Sequence, residues 1–220
     1  MISVAIDGPA GAGKSTIAKM AAKRLNFIYV DTGALYRTLG YGAHTGGVDI
    51  HNDTELESYL QNSRVELKFI DGEQRVFLNG EDVSDKIRTP QMGTAASEIS
   101  AIPRVREYLL DMQRALARTN NVIMDGRDIG TVVLPNAEVK IFLTASPECR
   151  AKRRLEDFRQ KGENVDFDEV LRLIVERDYQ DSHREIAPLK AAEDSVIVDT
   201  SDLSLEQSVE KIISTIEEKK

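Results

Sequence analysis

The sequence predicts an α/β protein with a parallel five-stranded sheet flanked by helices, and three observations lead to this fold class. Five short apolar runs with little polar alternation lie along the 220 residues, as expected of parallel strands buried on both faces. Helical segments separate them, and such alternation forms parallel sheets with right-handed crossovers. Hydrophobic residues at 41% and charged residues at 30% are typical of a globular protein that needs no disulfides to hold its core.

The alternation of strand and helix runs along most of the chain. The apolar runs that predict strands are residues 2–6, 27–30, 122–124, 139–143 and 195–198. The segments that predict helices are residues 14–25, 34–46, 53–62, 90–100, 103–118, 146–160, about 20 residues from Phe167, and 204–218. Gly40 and Gly42 are expected to break the second helix, and Asp53 to cap the third. Pro103 is expected to open the fifth helix, and Ser204 to Gln207 to form a capping box for the last.

Residues 65–80 interrupt this alternation with an antiparallel pattern. Apolar and polar side chains alternate from Val65 to Phe69, and Asp71-Gly72 is a hairpin turn signal. A second run from Arg75 to Leu78 follows and ends at Asn79-Gly80. The pattern predicts a small antiparallel ribbon inserted between segments of βαβ type.

The composition excludes several classes of protein. The 29 basic and 37 acidic side chains give a net charge of −8, the wrong sign for a protein that coats nucleic acid. Cys149 is the single cysteine, which excludes an intrachain disulfide and a cysteine zinc cage. The sequence has no apolar stretch of about 18 residues and no signal-like N-terminus, so we expect a cytoplasmic protein that binds no membrane. We also expect a monomer.

The most specific local motif is a phosphate-binding loop after the first strand. Gly8 to Ser15 fits the pattern of glycine, four residues and Gly-Lys-Ser, between a buried strand and a helix. Glycines let successive N–H groups point into one concavity that, with the helix N-terminus, binds phosphate oxygens. Lys14 adds a positive charge near the β- and γ-phosphates, and the Ser15 hydroxyl is expected to bind Mg²⁺. The predicted nucleotide ligands are Gly8, Pro9, Ala10, Gly11, Ala12, Gly13, Lys14, Ser15 and Thr16.

A second anion site is indicated after the strand at residues 122–124. Asp125 ends that strand, where phosphate-loop ATPases often bind magnesium, but the chain continues with Gly126-Arg127-Asp128. An arginine at this position favours a second phosphate over a hydrolytic water, and a kinase with a phosphorylated acceptor must neutralise two facing phosphates. The Asn-Lys-x-Asp stretch with which GTPase switches recognise guanine is missing from the sequence.

Two charged segments follow, and each allows two interpretations. From Arg150 to Lys161 there are six basic and two acidic side chains, which suits a solvated helix face or a mobile lid hinged at Lys161-Gly162. Arg177, Asp181 and Arg184 are spaced by four and three, so they are expected on one helix face. They form either a salt-bridge ladder or part of a nucleotide site.

Seven stretches together resemble the bacterial cytidylate kinases, which are phosphate-loop nucleoside monophosphate kinases. They are Asp7 to Lys14, Asp31 to Arg37, Ile87 to Thr89, Ala95 to Ser97, Pro103 to Arg106, Asp125 to Val133, and Arg177 to Asp181. The resemblance covers essentially the whole chain, including the ribbon near residues 65–78. It implies the phosphate-loop NTPase fold as a single kinase domain. The core would lie at about 1–34, 102–147 and 185–220, the acceptor region at 35–101 and the lid at 148–165.

The resemblance also implies a reaction and its ligands: transfer of the γ-phosphoryl group of ATP, with Mg²⁺, to CMP or dCMP. The cytosine edge would be recognised by Ser97, Arg106 and Asp128, with Asp128 accepting from the exocyclic amine that uracil lacks. The acceptor phosphate would be bound by Arg37, Arg127 and Arg184. The sugar side would be bound by Arg177 and Asp181, with Thr32 where the family usually has serine. Asp125 is counted with these acceptor residues.

Such a transfer needs no strong base, because the acceptor phosphate is already an anionic nucleophile near pH 7. Catalysis is expected from alignment and charge neutralisation by Lys14, Arg127, Arg153 and Arg184. The three histidines and Cys149 are expected to take no part. Two alternatives stay open: a kinase of another phosphorylated acceptor such as UMP, dTMP or AMP, and a regulatory nucleotide binder that hydrolyses slowly.

Overall fold

The computed structural model describes residues 1–70, 72–160 and 162–219. The chain forms two compact units. The larger unit holds residues 1–29 and the chain from residue 116 onward, and the smaller unit holds residues 30–115. Asp71 of the expected hairpin turn and Lys161 of the expected lid hinge lie outside the described residues. The division into core, acceptor region and lid stays a prediction.

The elements alternate as the sequence predicts. The strands are β1 (Ser3–Asp7), β2 (Ile28–Asp31), β3 (Val65–Ile70), β4 (Glu73–Leu78), β5 (Glu81–Asp82), β6 (Val122–Gly126), β7 (Val139–Thr144) and β8 (Val196–Asp199). The helices are α1 (Lys14–Leu25), α2 (Thr32–Thr45), α3 (Asp53–Gln61), α4 (Pro90–Ser100), α5 (Pro103–Thr119), α6 (Pro147–Gln160), α7 (Phe167–His183) and α8 (Leu205–Lys219). Within the described residues, no helix has the length and apolar character needed to cross a membrane.

A five-stranded sheet has the strand order β2-β6-β1-β7-β8. Strand β1 lies at its centre and pairs in parallel with β6 and β7. The register sets Asp7 opposite Gly126, so the carboxyl ends of β1 and β6 lie side by side. This arrangement confirms the predicted fold class and brings the segment after β1 next to the segment after β6, where ligands bind in open parallel sheets.

The core of the larger unit explains why the middle of its central strand is apolar. Val4, Ala5 and Ile6 of β1 are completely buried. Helices α1 and α8 pack on the sheet, and the buried cluster that joins them includes Ile17, Ala21, Ile123, Ile141, Val198, Val209, Ile212 and Ile216. The capping box of α8 is confirmed, since the Gln207 backbone N–H donates to the Ser204 hydroxyl at 3.2 Å and the Gln207 side chain accepts from the Ser204 N–H at 2.9 Å.

The smaller unit contains the predicted ribbon with one more strand than expected. Strands β3, β4 and β5 form an antiparallel sheet in chain order. Asn79 and Gly80 both have positive φ, 52° and 85°, and turn the chain back into β5. The sequence pattern missed β5 because a two-residue strand is too short to show alternation.

Two predictions about helices in the smaller unit are wrong. Helix α2 runs unbroken through Gly40 and Gly42, because tertiary packing uses these positions for close approach. A Cβ on Gly40 would stand only 3.0 Å from the Ala95 Cβ of α4. Asn52, rather than Asp53, caps α3, because its side-chain oxygen accepts from the N–H groups of Thr54 at 3.0 Å and Glu55 at 3.3 Å.

Candidate active site

The phosphate-binding loop joins β1 to α1 in the larger unit. Gly8 has a φ of 152°, and a side chain there would collide with the Leu143 carbonyl oxygen, so only glycine fits. The N-cap of α1 is Gly13, which offers no side-chain cap to the first N–H groups of the helix. Those N–H groups are therefore free of a competing side chain and can bind a phosphate oxygen.

The Lys14 side chain lies under this loop. It is 5% exposed, and its ammonium donates to the Pro9 carbonyl at 2.7 Å. Burial, reinforced by the nearby Arg127 charge, lowers the pKa of Lys14. A phosphate oxygen arriving here would supply the counter-charge that favours the charged ammonium.

Ser15 and Asp125 form an oxygen pair of the kind that Mg²⁺ prefers. The Ser15 hydroxyl donates to Oδ2 of Asp125 at 2.9 Å, and the Tyr29 hydroxyl donates to Oδ1 at 2.9 Å. Magnesium is usually held by one or two carboxylates with phosphates and waters. The donor set fits the ion, and no group of three or more acidic, histidine or cysteine ligands occurs in the described part of the chain. The sequence pattern did not indicate Tyr29 as a residue of the site.

Two arginine–carboxylate pairs lie beyond the ends of these strands in the larger unit. Arg127 donates from Nε to Asp181 of α7 at 2.8 Å, and Nη2 of Arg184 lies 3.5 Å from Asp128. Asp128 and Asp181 are each 4% exposed. Burial would raise the pKa of Asp181, but the Arg127 charge and hydrogen bond outweigh it and hold that pKa below its usual value.

The structure corrects the expected helix face of Arg177, Asp181 and Arg184. Helix α7 ends at His183, and Arg184 follows in an extended conformation with ψ of 143°. Its Nε donates to the Ala187 carbonyl at 2.8 Å, which directs the guanidinium toward Asp128. Asp181 makes its ion pair across elements with Arg127, while the Arg177 charge helps to keep the pKa of Asp181 low.

The smaller unit holds the remaining residues assigned to the acceptor. Thr32 opens α2 and is 3% exposed. Arg37, one turn further along α2, pairs with Asp31 at 2.7 Å. Oδ1 of Asp31 also accepts from the Ala34 N–H at 3.0 Å, so this aspartate both caps the helix and orients the arginine.

Ser97 and Arg106 both belong to the smaller unit and are connected through Ser100. Arg106 is 9% exposed, lies 5.5 Å from the ring centre of Tyr36 and donates to the Ser100 carbonyl at 3.0 Å. The Ser100 hydroxyl in turn donates to the Ser97 carbonyl at 3.0 Å. Ser100 therefore links the Arg106 guanidinium in α5 to the backbone of Ser97 in α4.

The basic segment of α6 separates into two groups. Arg150 is 2% exposed and donates to both oxygens of Asp178 at 3.0 and 2.5 Å, to the Ala10 carbonyl at 3.0 Å and to the Ala145 carbonyl at 2.9 Å. Arg153 donates to the Ala12 carbonyl at 3.4 Å and the Thr200 carbonyl at 2.7 Å. Both therefore donate to backbone carbonyls of the phosphate loop. Lys152, Arg154 and Arg159 are exposed, as on a solvated face.

Two side chains outside the predicted ligand set, Asp7 and Gln74, also hold backbone groups near predicted site residues. Asp7, at the end of β1, accepts from the N–H groups of Ile129 and Gly130 at 2.7 Å each. Burial raises its pKa to about 6, with the two N–H groups opposing that rise. In the smaller unit, Gln74 of the ribbon accepts from the Asp31 N–H at 2.8 Å and donates to its carbonyl at 3.3 Å. For Asp7, its position at the end of a predicted strand was the sequence feature that could have indicated a role in the site.

The three histidines and Cys149, which are expected from the sequence to take no part in the reaction, have the following positions; their lack of a role stays a prediction. His44, His51 and His183 are exposed. Cys149 is partly buried at the start of α6, with its Sγ 3.5 Å from the Ser201 carbonyl.

Comparison with known protein families and sequences finds similarity over nearly the full chain. The family model described as cytidylate kinase matches residues 4–218. A cytidylate kinase of Caldicellulosiruptor bescii is 50% identical over 212 residues, covering 96% of this chain and 94% of that protein. The cytidylate kinase of Lactobacillus johnsonii is 49% identical and covers 100% and 95%. That of Geobacillus kaustophilus is 51% identical and covers 99% and 97%.

Solved structures resemble the fold at low sequence identity. An uncharacterized protein from Eubacterium ventriosum matches with a TM-score of 0.56 and 13% identity, covering 99% of each chain. The shikimate kinase of Bacteroides thetaiotaomicron matches with a TM-score of 0.50 and 16% identity, covering 98% of each chain. At this identity the likeness concerns the fold alone.

Proposed function

Since this chain belongs to the cytidylate kinase family and is a nucleoside monophosphate kinase, we propose that it transfers the γ-phosphoryl group of ATP to CMP or dCMP. The observation that carries this proposal is that a phosphate loop and a group of arginine–carboxylate pairs follow neighbouring strands of the sheet. A phosphate loop follows β1, and the Arg127–Asp181 and Arg184–Asp128 pairs follow the neighbouring β6 and α7. The phosphate loop suits a nucleoside triphosphate, and the arginine–carboxylate pairs suit the phosphate of an acceptor nucleotide.

The phosphate loop and Lys14 would hold the triphosphate. The uncapped N-terminus of α1 offers N–H groups, and the Lys14 ammonium would move from the Pro9 carbonyl to the β- and γ-phosphates. Ser15 and Asp125 would hold Mg²⁺, which supplies charge neutralisation for the transferring group. Arg153, beside the loop, would stabilise the same developing charge.

The acceptor nucleotide would be bound by groups that already have fixed orientations. The acceptor phosphate would be bound by Arg37, Arg127 and Arg184. The sugar side would be bound by Thr32, Arg177 and Asp181. The cytosine edge would be recognised by Ser97, Arg106 and Asp128, and Asp128 would accept from the exocyclic amine where uracil has an oxygen. Residues 35–101 would form the acceptor region and residues 148–165 a lid that excludes water.

A coupled assay of ADP release tests this function. The enzyme is given MgATP with CMP, dCMP, UMP, AMP or dTMP, or with no acceptor. We expect rapid ADP formation with CMP and dCMP and slow formation with the other three. Preferred turnover of UMP, AMP or dTMP would assign the chain to a different acceptor. Equal, slow ADP formation in every tube would identify a nucleotide binder without transferase activity.

A further inference from the structure

Asp7 is a buried carboxylate to which the proposed mechanism assigns no ligand. It is 4% exposed and accepts two short hydrogen bonds, from the N–H groups of Ile129 and Gly130. Those two residues are more than 120 positions away in sequence and directly follow Asp128. A buried carboxylate that accepts from two backbone N–H groups is better suited to hold backbone than to bind a substrate anion.

The backbone of Asp7 is itself a rigid anchor. The strand β1 pairs with a neighbour on each side, and the register sets Asp7 opposite Gly126 and Phe142. The next residue, Gly8, is packed against the Leu143 carbonyl so closely that no side chain fits. The Asp7 carboxylate is therefore attached to a part of the sheet that cannot shift easily.

The segment that Asp7 holds is an irregular one. Asp128 has φ of −146° and ψ of 26°, outside the helix and strand regions, and a π-helical turn follows at Ile129–Val133. The orientation of the Asp128 side chain thus depends on the peptide groups after it, and Asp7 fixes two of them. The fit is also tight, because a Cβ on Gly130 would stand 3.3 Å from Oδ2 of Asp7 and 3.2 Å from Cδ of Lys140.

We propose that Asp7 is a positioning residue for acceptor specificity: it sets the direction of the Asp128 carboxylate by holding the two N–H groups that follow it. This inference rests on the proposed function, in which Asp128 distinguishes cytosine from uracil. It predicts that loosening the Asp7 contact weakens the choice between CMP and UMP while leaving the binding of ATP nearly unchanged.

The variant Asp7→Asn tests the proposal, because the amide keeps one acceptor oxygen and turns an NH₂ toward the other N–H. The measurements are kcat and KM for CMP, UMP and ATP, with thermal unfolding to establish that the variant is folded. We expect the ratio of kcat/KM for CMP over UMP to fall about tenfold, the size of one lost buried charged hydrogen bond. The KM for ATP is expected to stay within about twofold of the wild type.

Two further variants separate positioning from general loss of structure. Gly130→Ala pushes on the same contact from the other side and is expected to lower the ratio as well. Glu138→Gln is the matched control, because the Glu138 carboxylate accepts from the Ser3 N–H and hydroxyl at 2.7 Å at the opposite end of β1. Its ratio is expected to equal that of the wild type.

Each result decides between defined alternatives. A folded Asp7→Asn enzyme with unchanged CMP preference overturns the proposal, as does an increase in the KM for ATP alone, which would place the action of Asp7 on the phosphate loop. If Asp7→Asn does not fold, Gly130→Ala decides by the same ratio. A wild-type enzyme without preference for CMP over UMP would instead overturn the proposed function, before any variant is compared.

Discussion

Each arginine assigned to the acceptor phosphate lies beside a carboxylate. Arg37 pairs with Asp31, Arg127 with Asp181, and Arg184 with Asp128. The carboxylates fix the planar guanidinium groups before a phosphate arrives, so little side-chain freedom remains to be lost on binding. They also reduce the local positive charge while the site is empty.

The first prediction about an individual residue concerns Lys14. Replacing it with alanine removes the ammonium that would neutralise charge on the transferring phosphoryl group, so turnover is expected to fall by about a hundredfold or more. The coupled ADP assay measures it, with Lys23→Ala, an exposed lysine on the same helix, as the control. Wild-type turnover in Lys14→Ala would contradict the assignment of the loop as the site.

The second prediction concerns base recognition by Asp128. In Asp128→Ala the cytosine amine loses its acceptor, and the preference for CMP over UMP is expected to shrink by about 1–3 kcal/mol. The ratio of kcat/KM for the two nucleotides measures this change. An unaltered ratio would show that the base is recognised elsewhere.

The third prediction concerns the pH dependence of Asp7, which faces Lys14 and Asp128. Burial raises its pKa to about 6 from the ordinary 3.8, so between these values the folded protein holds a proton that the unfolded chain has released. This contribution to the free energy of unfolding is present below about pH 4 and is lost as the pH rises through 6. Relative to Asp7→Asn, the wild type should lose at most about 3 kcal/mol over that interval in urea unfolding.

The same titration should affect specificity in the opposite direction. Below pH 6 the protonated Asp7 is a poorer acceptor for the two N–H groups, so the CMP preference of the wild type should weaken. The ratio of kcat/KM for CMP over UMP between pH 5 and 8 checks this, and the phosphate titration common to both nucleotides cancels. A ratio independent of pH would contradict the account.

The phosphate loop was predictable from its residue pattern, and the acceptor arginines were assigned through the family resemblance, but the partners of these residues were not predictable. Tyr29, Asp7 and Gln74 act through side-chain contacts to residues that are 96, 122 and 43 positions away, respectively. No local period relates such pairs, and tertiary packing alone decides them.

Among the helices, Arg150 of α6 connects that helix to both α7 and the phosphate loop. The ion pair with Asp178 is buried on the arginine side, where 3% of the side chain is exposed, and partly open on the other, at 25%. The same guanidinium holds the carbonyls of Ala10 and Ala145. One side chain thus fixes the positions of two helices and the loop between β1 and α1.

The fourth prediction is the loss of this connection in Arg150→Met. The substitution keeps an unbranched apolar stem but leaves Asp178 and two carbonyls without their donor, which should cost about 3 kcal/mol of unfolding free energy. The KM for ATP should rise with it, since the loop loses a support. Arg172→Met is the control, because its pair with Glu176 is exposed and worth at most about 0.5 kcal/mol. Equal stability of the two variants would contradict this role.

Element boundaries show where local signals were sufficient. Pro103 opens α5 and the capping box opens α8, because both depend on nearby backbone geometry. The expected breaks at Gly40 and Gly42 failed, since glycine also serves close packing between helices. Arg184 left the expected helix face because α7 ends one residue earlier.

At the scale of the whole molecule, the pattern of apolar runs was sufficient for the fold class. Buried parallel strands require apolar side chains on both faces, whereas the order β2-β6-β1-β7-β8 comes from the structure and not from the apolar runs. The net charge of −8 means that two anionic nucleotides must be held against the overall field. The buried lysine and the paired arginines supply that local positive charge.

In the proposed reaction this molecule passes a phosphoryl group between nucleotides rather than to water. Incubation with MgATP labelled at the γ-phosphate, with and without CMP, tests it most directly when the labelled products are separated. The account predicts label in the β-phosphate of CDP, appearing only with CMP and in amounts equal to the ADP formed. Label released as inorganic phosphate at the same rate with and without CMP would contradict it.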